Sequence, residues 1–567
     1  MGPEPARPAA ANRNLTILLS LIIGVLVGLV VVAFILLTGR LAARMYPAGG
    51  SPWRRLLIPL AGSLVTGVLL SRYFPNARGS GIPQTKFALF INNGYISLKT
   101  VVGKFVCCAA SLASGIALGR EGPSVQIGAG IASVLGRRFG LSPEQVKSLV
   151  PVGCSAALAA AFNTPIAAVL FSLEEILGDM HAPVLGTTVI ASAASWMVLH
   201  LILGDQPLFH TPAYQLVHPA EFGVYAVLGV AGGLASVWFV KLLLAIRKSC
   251  LTLPKKTLWA QPAMGGLTVG IMGWFLPQVL GVGYDFVDVV LGGDFLLKTV
   301  VALAILKLIA TPVCYGTGNA GGIFGPSLFI GAMVGGAVGS LAHTLFPHLT
   351  AGPGAYALVG MGACFAGIVR TPMTSVIMIF EMTRDYAIIV PLMIANMIAF
   401  IISQKLQEEP IYEALALQEG VFLPTGESRD ELAGVRIAQI MRTGPEPFPL
   451  DLDLSAAIHR LEEMGRNAWP VGDTRHLSGI VALRDLHEAK APRSRLEQVV
   501  PRESAFPYVH PDHPLSLALE RMGSAAVDTL PVVSRADIRQ FYGVVTLPDI
   551  LAAYGVERNA RNGAHAS

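Results

Sequence analysis

The chain has 567 residues, of which 14% are charged and 53% hydrophobic. Residues 406–567 hold 39 of the 77 charged side chains, and the first 405 residues hold only 38, too few to cover a soluble surface. This excludes a purely soluble protein, a disordered chain and a nucleic-acid-binding protein, and leaves a large membrane part followed by a soluble domain.

The sign of the charge divides at the same place. Residues 406–567 carry a net −7, and the membrane part carries a net +12. Loop charge that sets orientation accounts for the excess; a field that draws anions in is the alternative. The cysteines Cys107, Cys108, Cys154, Cys250, Cys314 and Cys364 all lie in the low-charge part, and none forms a CxxC pair. That speaks against a disulfide framework or a metal site, and fits a soluble part in a reducing cytosol.

In chain order, residues 1–14 read as an N-terminal tail. Leu15 to Leu37 is a charge-free run long enough to span a bilayer and too long for a signal-peptide core. Apolar stretches follow near 56–70, 101–118, 148–176, 185–204, 221–245, 264–281, 296–313, 322–342, 355–380 and 387–403. Many are broken by glycine or proline, among them Gly119, Gly122, Pro123, Pro165, Gly325, Pro326 and Pro372. A broken helix bares backbone groups that lipid cannot satisfy, so such breaks belong in the interior of a transporter or channel.

The membrane part repeats itself. Gly122-Pro123-Ser124, Ile127-Gly128-Ala129 and Gly136 recur as Gly325-Pro326-Ser327, Ile330-Gly331-Ala332 and Gly339. Gly153, Ala156, Ala159, Thr164-Pro165, Val169 and Glu174 recur as Gly360, Ala363, Ala366, Thr371-Pro372, Val376 and Glu381. Generic small-residue helix packing does not reproduce two ordered blocks together with a Thr-Pro and an acid. Two homologous halves follow, about 15–205 and 221–403; the spacing leaves parallel and inverted arrangements open.

Three glycine-flanked loops lead into apolar, helix-like runs: Gly79-Ser80-Gly81-Ile82-Pro83, Gly119-Arg120-Glu121-Gly122-Pro123 and Gly321-Gly322-Ile323-Phe324-Gly325-Pro326. A helix N-terminus offers free N–H donors and partial positive charge, and glycine lets an ion come close. Several such ends aimed at one point bind an anion weakly enough to release it. Singly, each loop is an ordinary helix break. Glu121 is an acid in an apolar membrane loop, a functional candidate by default, with a salt bridge to Arg120 as the plainer reading.

These motifs, with Tyr412 after the last span, carry a resemblance. The chain resembles the CLC family of chloride channels and chloride/proton antiporters over about residues 15–415. The resemblance implies an all-α polytopic membrane fold with two inverted halves and broken helices, and a homodimer with one pathway per subunit. It implies chloride binding at Ser80, Gly81, Ile82, Gly122, Ile323, Phe324 and Tyr412. Ser80 reads otherwise as a helix N-cap, and Tyr412 as an interfacial anchor. Serine rather than proline at 80 implies chloride rather than nitrate. Glu121 takes the place of the gating glutamate, whose ionised carboxylate mimics an anion and swings away once protonated. Arg120 and Lys104 match basic residues that shape the field along the pathway.

Glu175 takes the place of the inner proton-transfer glutamate of antiporters; an acid at a span's end in solvent is the plainer reading. Glu174 pairs with Glu381 across the repeat, which points to a structural role. After GSGIP the chain reads Gln84-Thr85-Lys86 where many relatives carry an acid. The expected function is chloride/proton antiport, with a passive, gated and voltage-sensitive chloride channel as the alternative. Transported chloride and protons are the only small species required. No HExxH or GxSxG is present and the membrane acids lack a catalytic partner, so no enzyme activity is expected.

The soluble part has its own repeat after a linker at 416–434. Leu454-Ser455, Pro470-Val471, Gly479, Val481 and Asp485 recur as Leu515-Ser516, Pro531-Val532, Gly543, Val545 and Asp549. Each copy reads as a helix (454–465; 515–523), two short strands and a second helix from Arg484 or Pro548. This resembles a tandem pair of CBS domains, an α/β module, here at 435–490 and 497–556, with a disordered tail at 557–567. The resemblance implies an adenine nucleotide (ATP, ADP or AMP) between the copies, with Asp485 and Asp549 accepting from ribose and Thr546 completing one site. Ala482 stands at the counterpart of Thr546. A structural pair without ligand is the alternative. The protein is expected in the plasma or inner membrane with both termini cytosolic.

Overall fold

The computed structural model describes residues 10–47, 49–180, 183–205, 207–209, 216–293, 295–419, 435–488, 495–500 and 506–553. These fall into two compact units, Met1–Leu423 and Pro424–Ser567. The expected linker after residue 419 and the tail after 556 lie outside the described residues.

The described residues of the first unit form helices joined by loops. Its first half comprises α1 (Ala10–Met45), α2 (Pro52–Val68), α3 (Ile82–Phe90), α4 (Leu98–Ala113), α5 (Glu121–Arg138), α6 (Pro143–Phe162), α7 (Pro165–Phe171) and α8 (Leu185–Leu203). The second half repeats the series as α9 (Glu221–Leu251), α10 (Gln261–Phe275), α11 (Tyr284–Leu291), α12 (Leu297–Gly316), α13 (Phe324–Leu345), α14 (Pro353–Val369), α15 (Pro372–Thr383) and α16 (Ile389–Leu406). A short α17 (Ile411–Gln418) closes the unit and extends three residues beyond the boundary expected at 415. At the other end, α1 starts at Ala10, inside the stretch expected to be tail.

Eight described helices are long and apolar enough to cross a membrane. Most of the others are shorter, several of them starting or stopping at glycine and proline breaks, and α5 is long enough but not apolar enough. The apolar stretches 148–176 and 355–380 each fold as two helices, because Thr164-Pro165 and Thr371-Pro372 stop one and start the next. The preceding residues Asn163 and Arg370 stand at the same place in the repeat, and both are left-handed, with φ of 60° and 66°. Helix α5 has no counterpart among the apolar stretches, because it is rich in Gly, Ser and charge. It is nevertheless mostly buried.

The halves pack alike. Helix α5 lies on α6 as α13 lies on α14, and α1 lies on α8 as α9 lies on α16. They meet through reciprocal contacts, the pattern of a local twofold axis. Gly119 and Gly322 exchange both backbone hydrogen bonds, each 2.7 Å, in an isolated antiparallel bridge. Glu381 accepts from the N–H groups of Ile166 and Ala167 at the start of α7 (3.0 and 2.7 Å). Glu174 accepts from Met373 and Thr374 at the start of α15 (3.2 and 2.7 Å) and from the Thr374 hydroxyl (2.6 Å). Each carboxylate supplies acceptors to bare N–H groups of the other half, so Glu174 is a helix cap.

In the second unit, β1 (Ala468–Gly472) pairs antiparallel with β2 (Leu477–Ala482), and β3 (Thr529–Val533) with β4 (Phe541–Thr546). Helices Leu454–Met464 and Leu515–Ala525 precede the hairpins, and Leu483–Glu488 and Leu547–Ala553 follow them. Leu454, Ala457 and Leu461 of one copy are buried at the same helical spacing as Leu515, Ala518 and Met522 of the other. Asn467 and Asp528, at equivalent places, exchange backbone-to-side-chain hydrogen bonds of 3.1 and 2.7 Å, so the copies also face each other symmetrically.

Candidate anion and proton site

The site forms where α3, α5 and α13 begin. Its first loop is held from behind by Lys104 of α4. The fully buried ammonium donates to the carbonyls of Ala77 and Gly79 at 3.0 and 2.7 Å. Lys307 of α12 does the same in the other half, donating to Val279 and Gly281 at 2.9 and 2.5 Å. Lys104 therefore fixes the loop that presents Ser80.

Gly81 is the N-cap of α3, and its N–H is taken by Gln84 Oε1 at 2.9 Å. Ser80 is thus not the cap. Its hydroxyl is fully buried and has no partner, while its backbone N–H donates to the Tyr315 hydroxyl at 3.3 Å. Gly81 has φ 107°, and a Cβ there would lie 2.5 Å from the Gly122 carbonyl oxygen, so neither the conformation nor the space admits a side chain. This brings Ser80 and Gly81 of one loop against Gly122 of the next.

Tyr412, at the start of α17, is also buried and also lacks a hydroxyl partner. It is not at an interface. It lies within electrostatic reach of Tyr315, Glu175, Glu413 and Glu121. A buried donor left unpaired costs about 1–3 kcal/mol, so each of these hydroxyls calls for an acceptor that the protein does not supply. An anion is the acceptor that both could use. Ile323 and Phe324 open α13, so their N–H groups are among its first donors. The Phe324 ring is fixed by Phe162, Phe171 and Phe365, at centroid distances of 4.8, 5.4 and 4.3 Å.

Glu121, the first residue of α5, is fully buried. Its Oε1 accepts from the Tyr284 hydroxyl at 2.6 Å and its Oε2 from the Gly325 N–H at 3.3 Å. The carboxylate therefore sits at the N-terminus of α13, where a free anion would sit. Gly119 and Gly325 leave it room, for a Cβ on either would press against Oε2. The Arg120 guanidinium is 3.9 Å away and forms no hydrogen bond to it, so no tight salt bridge consumes the acid. Arg120 instead lies over the Tyr284 ring, 5.7 Å from its centroid.

Glu175 lies in a π-helical turn, Ser172–Leu177, that continues α7. The extra residue in that turn separates the roles of the two adjacent acids. Glu174 caps α15, and Glu175 points inward, buried, to Lys86 Nζ at 2.9 Å. Lys86 also donates to Glu413 of α17. Glu175 is therefore not in ordinary solvent.

In the second unit, Asp549 accepts from Arg442 Nε at 2.9 and 3.1 Å and from the Thr546 hydroxyl at 2.6 Å. Asp485 is half exposed, 3.3 Å from Arg484. A cavity of ≈ 690 Å³ opens beside Arg442, Phe448, Arg460, Arg466, Trp469 and Thr546.

Tyr284, Tyr315 and Glu413 did not emerge from the sequence. Tyr284 had a signal: Gly281-Val282-Gly283-Tyr284 echoes Gly79-Ser80-Gly81-Ile82 at an offset close to that of the repeat. Lys104 and Lys307 extend the same register.

Broken helices packed in two matching halves around buried, unpaired hydroxyls and a seated carboxylate define a multi-pass membrane protein. Residues 62–404 match the family described as Voltage gated chloride channel, and residues 437–491 and 500–555 match the CBS domain. The chain belongs to the CLC family and ends in a CBS pair.

The chain is 33% identical over 366 residues to the H(+)/Cl(-) exchange transporter ClcA of Vibrio campbellii, covering 64% of this chain and 78% of that protein. It is 32% identical over 366 residues to the putative chloride channel protein ClcB-like of Ralstonia nicotianae, covering 64% and 85%. A slow cyanobacterial Cl-/H+ antiporter of known structure superimposes with a TM-score of 0.66 at 26% identity, covering 71% of this chain and 97% of that one. A eukaryotic CLC transporter superimposes with a TM-score of 0.69 at 20% identity, covering 94% and 97%, which supports the fold across both units.

Proposed function

We propose that the protein exchanges chloride for protons across the membrane. The observation that carries this reading is the Glu121 carboxylate seated at the N-terminus of α13. Ionised, it takes an anion's place; protonated, it loses its attraction to the helix end and leaves that place to chloride. One event then admits chloride and moves a proton. Chloride is held by the Ser80 and Tyr412 hydroxyls and by the first N–H groups of α3, α5 and α13, including those of Ile82, Gly122, Ile323 and Phe324. Arg120 adds positive field at the entrance. Protons pass between Glu175 and Glu121. The names of the exchanger relatives favour the same reading. It includes a homodimer with cytosolic termini, checked by cross-linking in the native membrane.

In liposomes holding the pure protein, a chloride gradient is expected to drive proton movement against no other force. Chloride flux without proton flux would replace the exchanger by a passive gated channel.

The CBS pair is proposed to bind an adenine nucleotide and to regulate exchange. The cavity beside Trp469 and Phe448 offers aromatic surface for a base, and Arg442, Arg460 and Arg466 offer charge for phosphates. The Arg442–Asp549 pair must part before Asp549 can accept from ribose. Titration of the full-length protein with ATP, ADP and AMP should reveal binding, and Arg466→Ala should weaken it about tenfold, the loss of one charge-assisted contact. No heat with any of the three would leave the CBS pair structural.

A further inference from the structure

Lys86 stands where the sequence departs from many relatives, and it is fully committed. Its ammonium, about 5% exposed with the rest of the residue, bridges Glu175 from the π turn after α7 and Glu413 from α17. Two carboxylates thus share one cation in a buried place. If both are ionised, the cluster carries one uncompensated negative charge, which a low-dielectric interior opposes strongly. One added proton makes it neutral. The vacant position for that proton is on the page as well: Glu413 Oε1 takes Lys86, while Glu413 Oε2 is buried and has no hydrogen-bond partner.

We propose that Glu413 is a second proton-carrying residue of the inner pathway, sharing one labile proton with Glu175 across Lys86. The proposal rests on the exchanger reading given above and deepens it. Glu413 takes the proton on Oε2 and passes it to Glu175, from which it continues toward Glu121. The balance is simple: one O–H bond breaks as another forms, and Lys86 keeps its own protons. The approach from solvent runs by Glu409, which is partly exposed in the turn before α17 and within electrostatic reach of Glu413.

The charged and titratable neighbours are few. Glu413 faces Lys86 from α3, Glu175 from the π turn, and Glu409 and Tyr412 from its own segment. Glu174 lies behind Glu175 but is committed to α15. From α9, Arg247 is committed to the Leu415 carbonyl and to Glu419. From α14, the Cys364 thiol is committed to the Gly232 carbonyl. From the end of α14, Arg370 lies within electrostatic reach of Glu409 and donates to the Gln407 and Glu408 carbonyls. Among the described residues, Lys86 is therefore the cation that bridges Glu175 and Glu413.

The test uses the full-length protein in liposomes, with chloride and proton fluxes recorded together. Wild type should couple; if it moves chloride without protons, the exchanger reading fails and takes this proposal with it. With wild-type coupling in hand, Glu413→Gln should cut proton flux about tenfold or more while chloride flux stays within about threefold, the scale of losing one proton-transfer group. Glu413→Asp should restore coupling, which a purely structural role would not require. An unchanged proton-to-chloride ratio in Glu413→Gln overturns the proposal alone. Should Glu413→Gln fail to insert, Glu409→Gln alters only the partly exposed approach. It should displace the dependence of proton flux on inner pH, and an unmoved profile overturns the proposal.

Discussion

Replacing Glu121 by glutamine is expected to give chloride flux that no longer waits on protons. The glutamine amide has nearly the volume of the carboxylate; its one oxygen can accept from the Gly325 N–H while its NH2 donates to the Tyr284 hydroxyl oxygen. What it lacks is the negative charge. A charge at a partly buried helix terminus is worth up to about 2 kcal/mol. Its loss shifts occupancy of that place toward chloride by about thirtyfold. The amide also cannot gain or lose a proton in the physiological range, so proton uptake in liposomes should vanish while chloride flux rises or persists. Wild-type coupling in this variant would end the assignment of Glu121 as gate. Tyr284 sharpens the expectation, because its hydroxyl donates to the ionised carboxylate and helps keep the acid seated.

Replacing Glu175 by glutamine is expected to abolish proton movement, by about a hundredfold or more, while chloride still flows. The structure explains why the fold should tolerate the change. Removing one partner of a buried ion pair usually leaves an uncompensated charge at a cost of about 3–5 kcal/mol. Here Lys86 retains Glu413, so the neutral glutamine leaves a matched pair behind. Chloride binding should be unaffected, since Ser80 and the first N–H groups of α13 lie on other elements. Retained proton coupling would move the proton path away from Glu175.

Much of this was legible in the sequence because the chemistry is local. The three glycine loops announce helix starts within five or six residues, and Glu121 stands out because so few charges surround it. The doubled Gly-Pro-Ser and Thr-Pro blocks disclose two halves. The CBS helices follow from the repeat and its spacing, and fall within two residues of the expected ends, with a short hairpin between them in each copy as expected.

What escaped was joined across long stretches of chain. Tyr284 reaches Glu121 from 163 residues away, and Glu413 reaches Lys86 from 327. No spacing rule connects such pairs; only packing of α3 against α17 and the convergence of α5 with α13 does. Lys86 read as an unexplained departure for the same reason. Its meaning depends on two acids that the sequence places far from it.

The crossed carboxylates Glu174 and Glu381 have a consequence for ancestry and assembly. Each half carries the plug for the other's socket, so a lone half would leave one helix start bare and one carboxylate without its donors. Two copies of one ancestral half, meeting face to face, would have satisfied both ends at once. Dimerisation of a half-length chain, followed by joining of the two genes, is the history that such crossed caps permit without any unstable step. The seat of Glu121 is shared in the same way, since Tyr284 and Gly325, which hold it, belong to the other half.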